Sequence, residues 1–251
     1  MTVVEATAVV LAGMFAGAIN TVIGSGTLVT FPVLLAVGYP PVVANVSNSL
    51  GLVPGSLSGA IGYRRELAGQ RARVMRLGPA SVLGAAVGAI LLLTLPAATF
   101  ATIVPVLIVI ALILVVAQPW LDRRFASQPR ERPAHGGRGL LVGVFLTGVY
   151  GGYFGAAQGV LLVGLLGVLV DEHLQRINAL KNVLATLVNL FAGIVFVFVA
   201  DVAWRAVLLV ALGSVVGGLI GSKIGRALPP WMLRAVIVVV GVAAIAKLLT
   251  S

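Results

Sequence analysis

In a chain of 251 residues, 60% are hydrophobic and only 10% are Asp, Glu, Lys or Arg, where soluble domains carry about 45–50% and about 25%; no aqueous core hides that much apolar surface. The formal net charge of +10 does not make a nucleic-acid surface, because ten of the 17 basic residues lie in two short stretches between apolar runs, Arg64–Arg76 and Arg123–Arg138, as loops on the positive side of a membrane do. With no cysteine, disulfides and thiolate metal sites are excluded.

The start, Met1–Glu5, has no basic n-region and no small-residue cleavage site follows it, so the first apolar run is expected to be retained. That run, Val9–Val37, is interrupted by the glycine-rich stretch Asn20–Thr27 and by Phe31-Pro32. Three better-formed spans are expected at about 42–62, 74–95 and 97–117. Beyond the basic stretch, Leu140–Val170 is again interrupted, at Tyr150–Gln158, and spans are expected at about 177–200, 203–224 and 230–249. Apolar runs such as Ile103–Ala117, Val183–Ala200, Val207–Ile220 and Leu233–Ala246 approach the roughly 20 residues that a bilayer needs. Trp120, Trp204 and Trp231 stand at run ends, as interfacial aromatics do.

The plan repeats. An offset of 131 places Gly17 on Gly148 and Gly24 on Gly155, and an offset of 133 places Asn45 on Asn178, Gly84 on Gly217, Gly88 on Gly221 and Leu95-Pro96 on Leu228-Pro229. The expectation is an all-α polytopic protein forming a single membrane domain over 1–251, with one half at 4–118, a basic linker at 119–138 and a second half at 139–250. Each half has a glycine-broken, re-entrant opening segment and three spans. If both openings turn back near Gly24-Ser25-Gly26 and Gly155-Ala156-Ala157, fifteen basic residues share one side and only Arg205 and Lys247 face the other; single crossings give 12 against 5. The positive-inside rule favours re-entry and hence an inverted over a parallel repeat.

Irregular backbone at membrane depth must be buried in protein or line a wet cavity. The break at Asn20, Thr21, Gly24, Ser25 and Gly26, and its counterpart ending at Gln158, would expose helix-end N–H groups suited to an anion; close helix packing is the competing reading. On the spans that follow, Asn45, Asn48, Ser49 and Ser56 share a face, and Asn178, Lys181, Asn182 and Asn189 hold the equivalent positions. Such groups should face the bundle interior, either to bind a ligand or to join helices, and Lys181 has snorkelling to the interface as an alternative. Gly213, Gly217, Gly221 and Gly225, echoed by Gly84 and Gly88, read as a packing seam. Glu5, Glu66, Asp122, Glu131, Asp171, Glu172 and Asp201 all fall at run ends or in loops, and His135 and His173 in loops. No mid-span carboxylate and no hydrolase motif is present, so the inventory suits an anion better than a cation.

The opening GAINTVIGSGTLVTFP at Gly17–Pro32 and GYPPVVANVSNS at Gly38–Ser49, with the second-half pattern at Gly148–Gly159 and Arg176–Asn182, resembles the sulfite exporter TauE/SafE permease family over nearly the whole chain. The resemblance implies movement of sulfite, sulfonates or other small organic anions across the bacterial inner membrane. Many members carry a Gly-Thr-Ser-like element where this chain has Ser47-Asn48-Ser49 and Leu180-Lys181-Asn182, so substrate choice is expected to differ.

The function expected is a secondary transporter of a small anion, working as an exporter by alternating access between the halves. Backbone donors at Gly24–Gly26 and Gly155–Gln158, with Asn48, Ser49, Lys181 and Asn182, would form the site. A passive anion channel and a non-transporting scaffold subunit are the alternatives. The partners expected are the anion and the lipid bilayer, with room left for a coupling ion and a homo-oligomer; no nucleic acid, cofactor, metal or enzymatic activity is expected.

Overall fold

In the computed structural model, residues 1–126 and 137–224 are described, together with 232, 235, 237–240 and 242. Expectations for His135 and the rest of residues 127–136 of the basic linker, Leu228-Pro229, Gly225, Trp231, Lys247 and most of the last span lie outside the described residues. The described chain is helical: α1 Val3–Val22, α2 Thr27–Ala36, α3 Pro41–Gly62, α4 Arg71–Thr94, α5 Ala97–Ala126, α6 Arg138–Tyr153, α7 Gln158–Leu169, α8 Leu174–Val199 and α9 Trp204–Ile224. A Thr2–Glu5 capping box starts α1, and Pro41 occupies the first position of α3, where its missing N–H costs nothing.

Among the described residues five helices, α1, α4, α5, α8 and α9, are long and apolar enough to cross a membrane. Their outward faces are apolar: Leu83, Val87 and Ile90 on α4, and Leu208, Leu212, Val216 and Leu219 on α9, are exposed, as a surface dissolved in lipid tails requires. α3 has the length of a span but not the hydropathy, because Asn45, Ser47, Asn48, Ser49, Ser56 and Ser58 interrupt it. All six are buried. It packs among α9, α8, α1 and α2, where polar side chains meet protein instead of lipid.

The two interrupted openings split where the glycines stand. Gly24 and Gly155 both adopt left-handed backbone, at φ 93° and 76°, a conformation open to glycine without steric cost. They separate α1 from α2 and α6 from α7. With 10 and 12 residues, α2 and α7 reach only about 15–18 Å, half a hydrocarbon core.

Helix packing fixes their course. Glycine seams let backbones approach: a Cβ at Gly213 or Gly217 would collide with the carbonyls of Val10 or Met14, so α9 runs parallel to α1. Cβ atoms at Gly84 and Gly88 would collide with the carbonyls of Phe145 and Val149, so α4 runs parallel to α6. α3 also runs parallel to α9, with Gly51 against Val207 and Val210 and Gly62 against Ser222. Hence α1 and α3 both start at the Trp204 end, and α1–α2 returns to the end it entered. α6 starts at the Arg71 end, and Glu172, just beyond α7, contacts Arg73 there. The α6–α7 hairpin therefore re-enters too, from the opposite end of the bundle.

Candidate functional site

The hairpin tips meet inside the bundle. The Gly159 N–H donates to the Gly24 carbonyl at 2.9 Å, and a Cβ on either glycine would overlap the other residue's Cα. Beside this contact lies a cavity of about 10 Å³ lined by Asn20, Gly24, Thr27, Gln158, Lys181 and Asn182, with Ser56, Gly155, Gly159, Ala185 and Asn189 completing the wall. That is room for about one water.

Two helices begin at the cavity, α2 at Thr27 and α7 at Gln158. Asn20 Oδ1 accepts from the Gly26 N–H at 2.7 Å, so that donor and the Gly159 N–H are already engaged. Among the described residues, the N–H groups of Ser25, Thr27, Ala156 and Ala157 have no acceptor, leaving four donors at the two positive helix ends. Ala157 holds left-handed backbone at φ 59° as the residue preceding α7, a strained conformation for a residue with a Cβ. Gln158 is 3% exposed, and its Nε2 has no protein acceptor among the described residues.

Lys181 is 1% exposed, which overturns the snorkelling alternative. Its Nζ donates to the carbonyl of Asn20 at 2.9 Å and of Thr21 at 3.2 Å, and Asn182 Nδ2 donates to the same Thr21 carbonyl at 3.3 Å. These carbonyls end α1, where the helix dipole is negative, so the cation is placed favourably. A related brace stands at α6: Asn45 Nδ2 donates to the Tyr153 carbonyl at its end, at 2.9 Å. Lys181 and Asn182 on α8 thus close the end of α1, and Asn45 on α3 closes the end of α6.

Of the residues singled out from sequence, Asn20, Gly24, Gln158, Lys181 and Asn182 come together at the cavity. The rest stand behind it. Thr21 contributes its carbonyl, while its hydroxyl donates to Gly17 at 2.9 Å. Ser25 is buried with its hydroxyl unpartnered. Asn48 accepts from the Thr30 hydroxyl and donates to Thr27 Oγ1 at 3.2 Å, holding the first turn of α2. Ser49 donates to the Asn45 carbonyl at 3.0 Å, so its hydroxyl is spent within α3. Ser56 and Asn189 line the wall, yet were read only as stripe members; their equivalence at the offset of 133 was the available signal. Thr27 and Gly159 lay at the break ends without being singled out. No group of three or more His, Cys, Asp or Glu side chains comes together among the described residues.

Outside the bundle, Glu172 bridges Arg73 and Arg176 at 2.6 Å each. Arg176 also donates to the Ala68 carbonyl at 3.0 Å, and Gln70 Nε2 to the Arg176 carbonyl at 2.9 Å. Burial raises the Glu172 carboxyl, but hydrogen bonds from Arg176 and Arg73 outweigh it and hold the group below its ordinary value.

The family model described as sulfite exporter TauE/SafE matches residues 9–248. A protein of Haemophilus influenzae named probable membrane transporter protein is 27% identical, the match covering 94% of this chain and 91% of that one. The Escherichia coli probable membrane transporter protein YfcA is 27% identical over 94% of this chain and 86% of its own. A Sinorhizobium protein, probable membrane transporter protein ORF9, is 27% identical over 96% and 91%. No solved structure matches. A family match across nearly the whole length, on a helical bundle with five apolar spans among the described residues, makes this chain a multi-pass membrane transporter of the bacterial inner membrane, belonging to the sulfite exporter TauE/SafE family.

Proposed function

We propose that the chain is a secondary transporter of small anions such as sulfite, sulfonates or organic acids, working in the export direction by alternating access between the halves 4–118 and 139–250. The observation that carries this reading is the convergence of two helix starts, at Thr27 and Gln158, on one buried cavity that also holds Lys181 and Asn182. Thr27 at the start of α2 and the Gln158 Nε2 amide bring donors to the cavity wall, and Lys181 adds positive charge. Oxyanions of sulfur and carboxylates have the negative oxygens that such donors fit.

The size of the cavity supports a moving mechanism. An anion larger than water requires the Gly24 and Gly159 tips to part, and each tip belongs to a different half. Their separation is the rearrangement that alternating access demands.

The test is binding followed by transport. Purified protein is screened by thermal shift against sulfite, sulfate, thiosulfate, sulfonates and carboxylates, because a ligand of the folded state raises the unfolding midpoint. At least one class is expected to raise it, and Gln158→Ala and Lys181→Ala are expected to weaken that shift by about tenfold or more in affinity, as loss of a buried charged or hydrogen-bonded contact does. Proteoliposomes should then accumulate the same anion beyond its electrochemical driving force. Equilibration without accumulation would identify a channel, and no response to any anion would leave a scaffold.

A further inference from the structure

We propose that the two bodies that move against each other have exchanged a helix: α1–α3 travel with α9, and α6–α8 travel with α4. The inference rests on the alternating-access reading above and specifies which helices accompany each half's hairpin when it moves.

Three sets of contacts divide the bundle this way. First, α9 lies backbone to backbone on the first half. Cβ atoms on Gly17 of α1 and on Gly55 of α3 would both strike Ser214, and one on Gly217 would strike the Met14 carbonyl. α4 lies in the same way on the second half, where a Cβ on Gly84 would strike the Phe145 carbonyl and one on Gly152 the Ala85 carbonyl. Helices in such close contact cannot slide past each other without main-chain collision. Second, polar ties fasten each exchanged helix where it begins. Gln70 and Ala203, equivalent at the offset of 133, immediately precede α4 and α9. Gln70 Nε2 donates to the Arg176 carbonyl on α8 at 2.9 Å, and the Ala203 N–H donates to Ser47 Oγ on α3 at 2.9 Å. Glu172 adds its ion pair with Arg73 on α4, and Ser214 Oγ of α9 donates to the Gly51 carbonyl at 2.9 Å. Third, α4 packs on α6 and α8, and α9 on α1 and α3. Among the described residues α4 has no comparable contact with α1–α3, nor α9 with α6–α8.

Contacts between the two bodies are of another kind. α3 meets α8 through side chains, with Leu50 lying over Gly193, and α5 touches both bodies, through α3 and α7. The hydrogen bonds that join the bodies gather where the opening helices end. Gly159 donates to Gly24, Lys181 and Asn182 to the carbonyls that end α1, and Asn45 to the carbonyl that ends α6. Parting the tips therefore breaks bonds around the cavity and leaves both glycine seams whole. Moving residues 4–118 and 139–250 as rigid units would shear both seams at once, with no water at hand to satisfy the ties it breaks inside the bilayer.

Because the chain has no cysteine, paired cysteines test the division in proteoliposomes. The probes are methanesulfonate, isethionate and malonate, which leave disulfides intact. Ser47→Cys with Ala203→Cys lies within one body. Gly78→Cys with Leu187→Cys lies within the other, a Cβ on Gly78 standing 3.3 Å from Leu187 Cδ1. Leu50→Cys with Gly193→Cys bridges the two, a Cβ on Gly193 standing 4.0 Å from the Leu50 Cα, within reach of a disulfide. Every pair joins residues 4–118 to residues 139–250, so bodies that coincided with the sequence halves would be locked by all three. On oxidation the first two pairs are expected to keep the uptake of their reduced forms, and the third to lose uptake until reductant restores it. Loss of uptake on closing either of the first two, or uptake unchanged by closing the third, overturns the division and leaves the transport reading standing. No entry of any probe into wild-type vesicles overturns both. Should the pairs fail to fold or to close, hydrogen exchange of the wild-type chain decides. α4 is expected to open together with α6–α8, and α9 with α1–α3; opening of α1–α4 as one unit and α6–α9 as another overturns the proposal.

Discussion

At the scale of single residues, the site rests on close backbone contact. Gly24 and Gly159 touch at their Cα atoms, so a methyl on either has nowhere to go. Gly159→Ala should lower stability by about 1–3 kcal/mol, read as a fall in the thermal midpoint of detergent-purified protein; an unchanged midpoint would mean that the tips do not touch in the resting protein. Ala157 is the converse case. Its left-handed backbone costs roughly 1–2 kcal/mol for a residue with a Cβ, while glycine loosens the unfolded chain by about 0.4–1 kcal/mol. Ala157→Gly should therefore raise stability by up to about 1 kcal/mol, and a lowered midpoint would show that the strain is not there. The role of Lys181 was not legible in the sequence. Helical phase gives the face a side chain takes but not its partner, and the bond from Lys181 reaches Asn20, 161 positions away.

At the scale of elements, the ion cluster ties the α4 start to the α8 start. Glu172 holds Arg73 and Arg176 apart while joining both, and its folded-state carboxyl lies below its ordinary value. A depressed carboxyl stabilises the fold at pH values above its unfolded pKa, and that contribution disappears as the pH falls through the folded one. Stability should therefore drop on acidification below the usual glutamate range, and Glu172→Gln should remove that part of the drop. At neutral pH the same variant should cost about 1 kcal/mol, less in high salt because the cluster sits at the aqueous edge. Thermal midpoints of both proteins across pH and salt measure this; parallel pH curves would show that Glu172 contributes nothing. Sequence placed Glu172 at a run end and no further, because its partner Arg73 lies 99 positions away.

At the scale of the molecule, two hairpins enter from opposite ends and meet at their tips. The loops containing Ala68 and His173 lie at one end of the bundle, brought together by the bond from Arg176 to the Ala68 carbonyl. Because the chain has no cysteine, Ala68→Cys and His173→Cys can be labelled without background. Both should react with a membrane-impermeant maleimide from the same side, and Ala97→Cys and Asp201→Cys from the other. Labelling of Ala68→Cys and His173→Cys from opposite sides would mean single crossings and would dismantle the hairpin arrangement.

By itself the sequence determined the class of protein and the places where its helices stop. Both follow from local properties: apolar run length sets what can enter a bilayer, and a glycine able to adopt left-handed backbone marks where a helix can end. It also determined which side chains were too polar to face lipid, since that cost belongs to the residue itself. The tertiary structure decided what those polar groups do. It spent Ser49 inside its own helix, set Asn48 behind the cavity as a brace for α2, laid Lys181 on the end of α1, and left the Gln158 Nε2 without a protein acceptor among the described residues. Hydrogen bonds are short and directional, so which donor finds which acceptor depends on the register of helices far apart in the chain, and only their packing fixes that register.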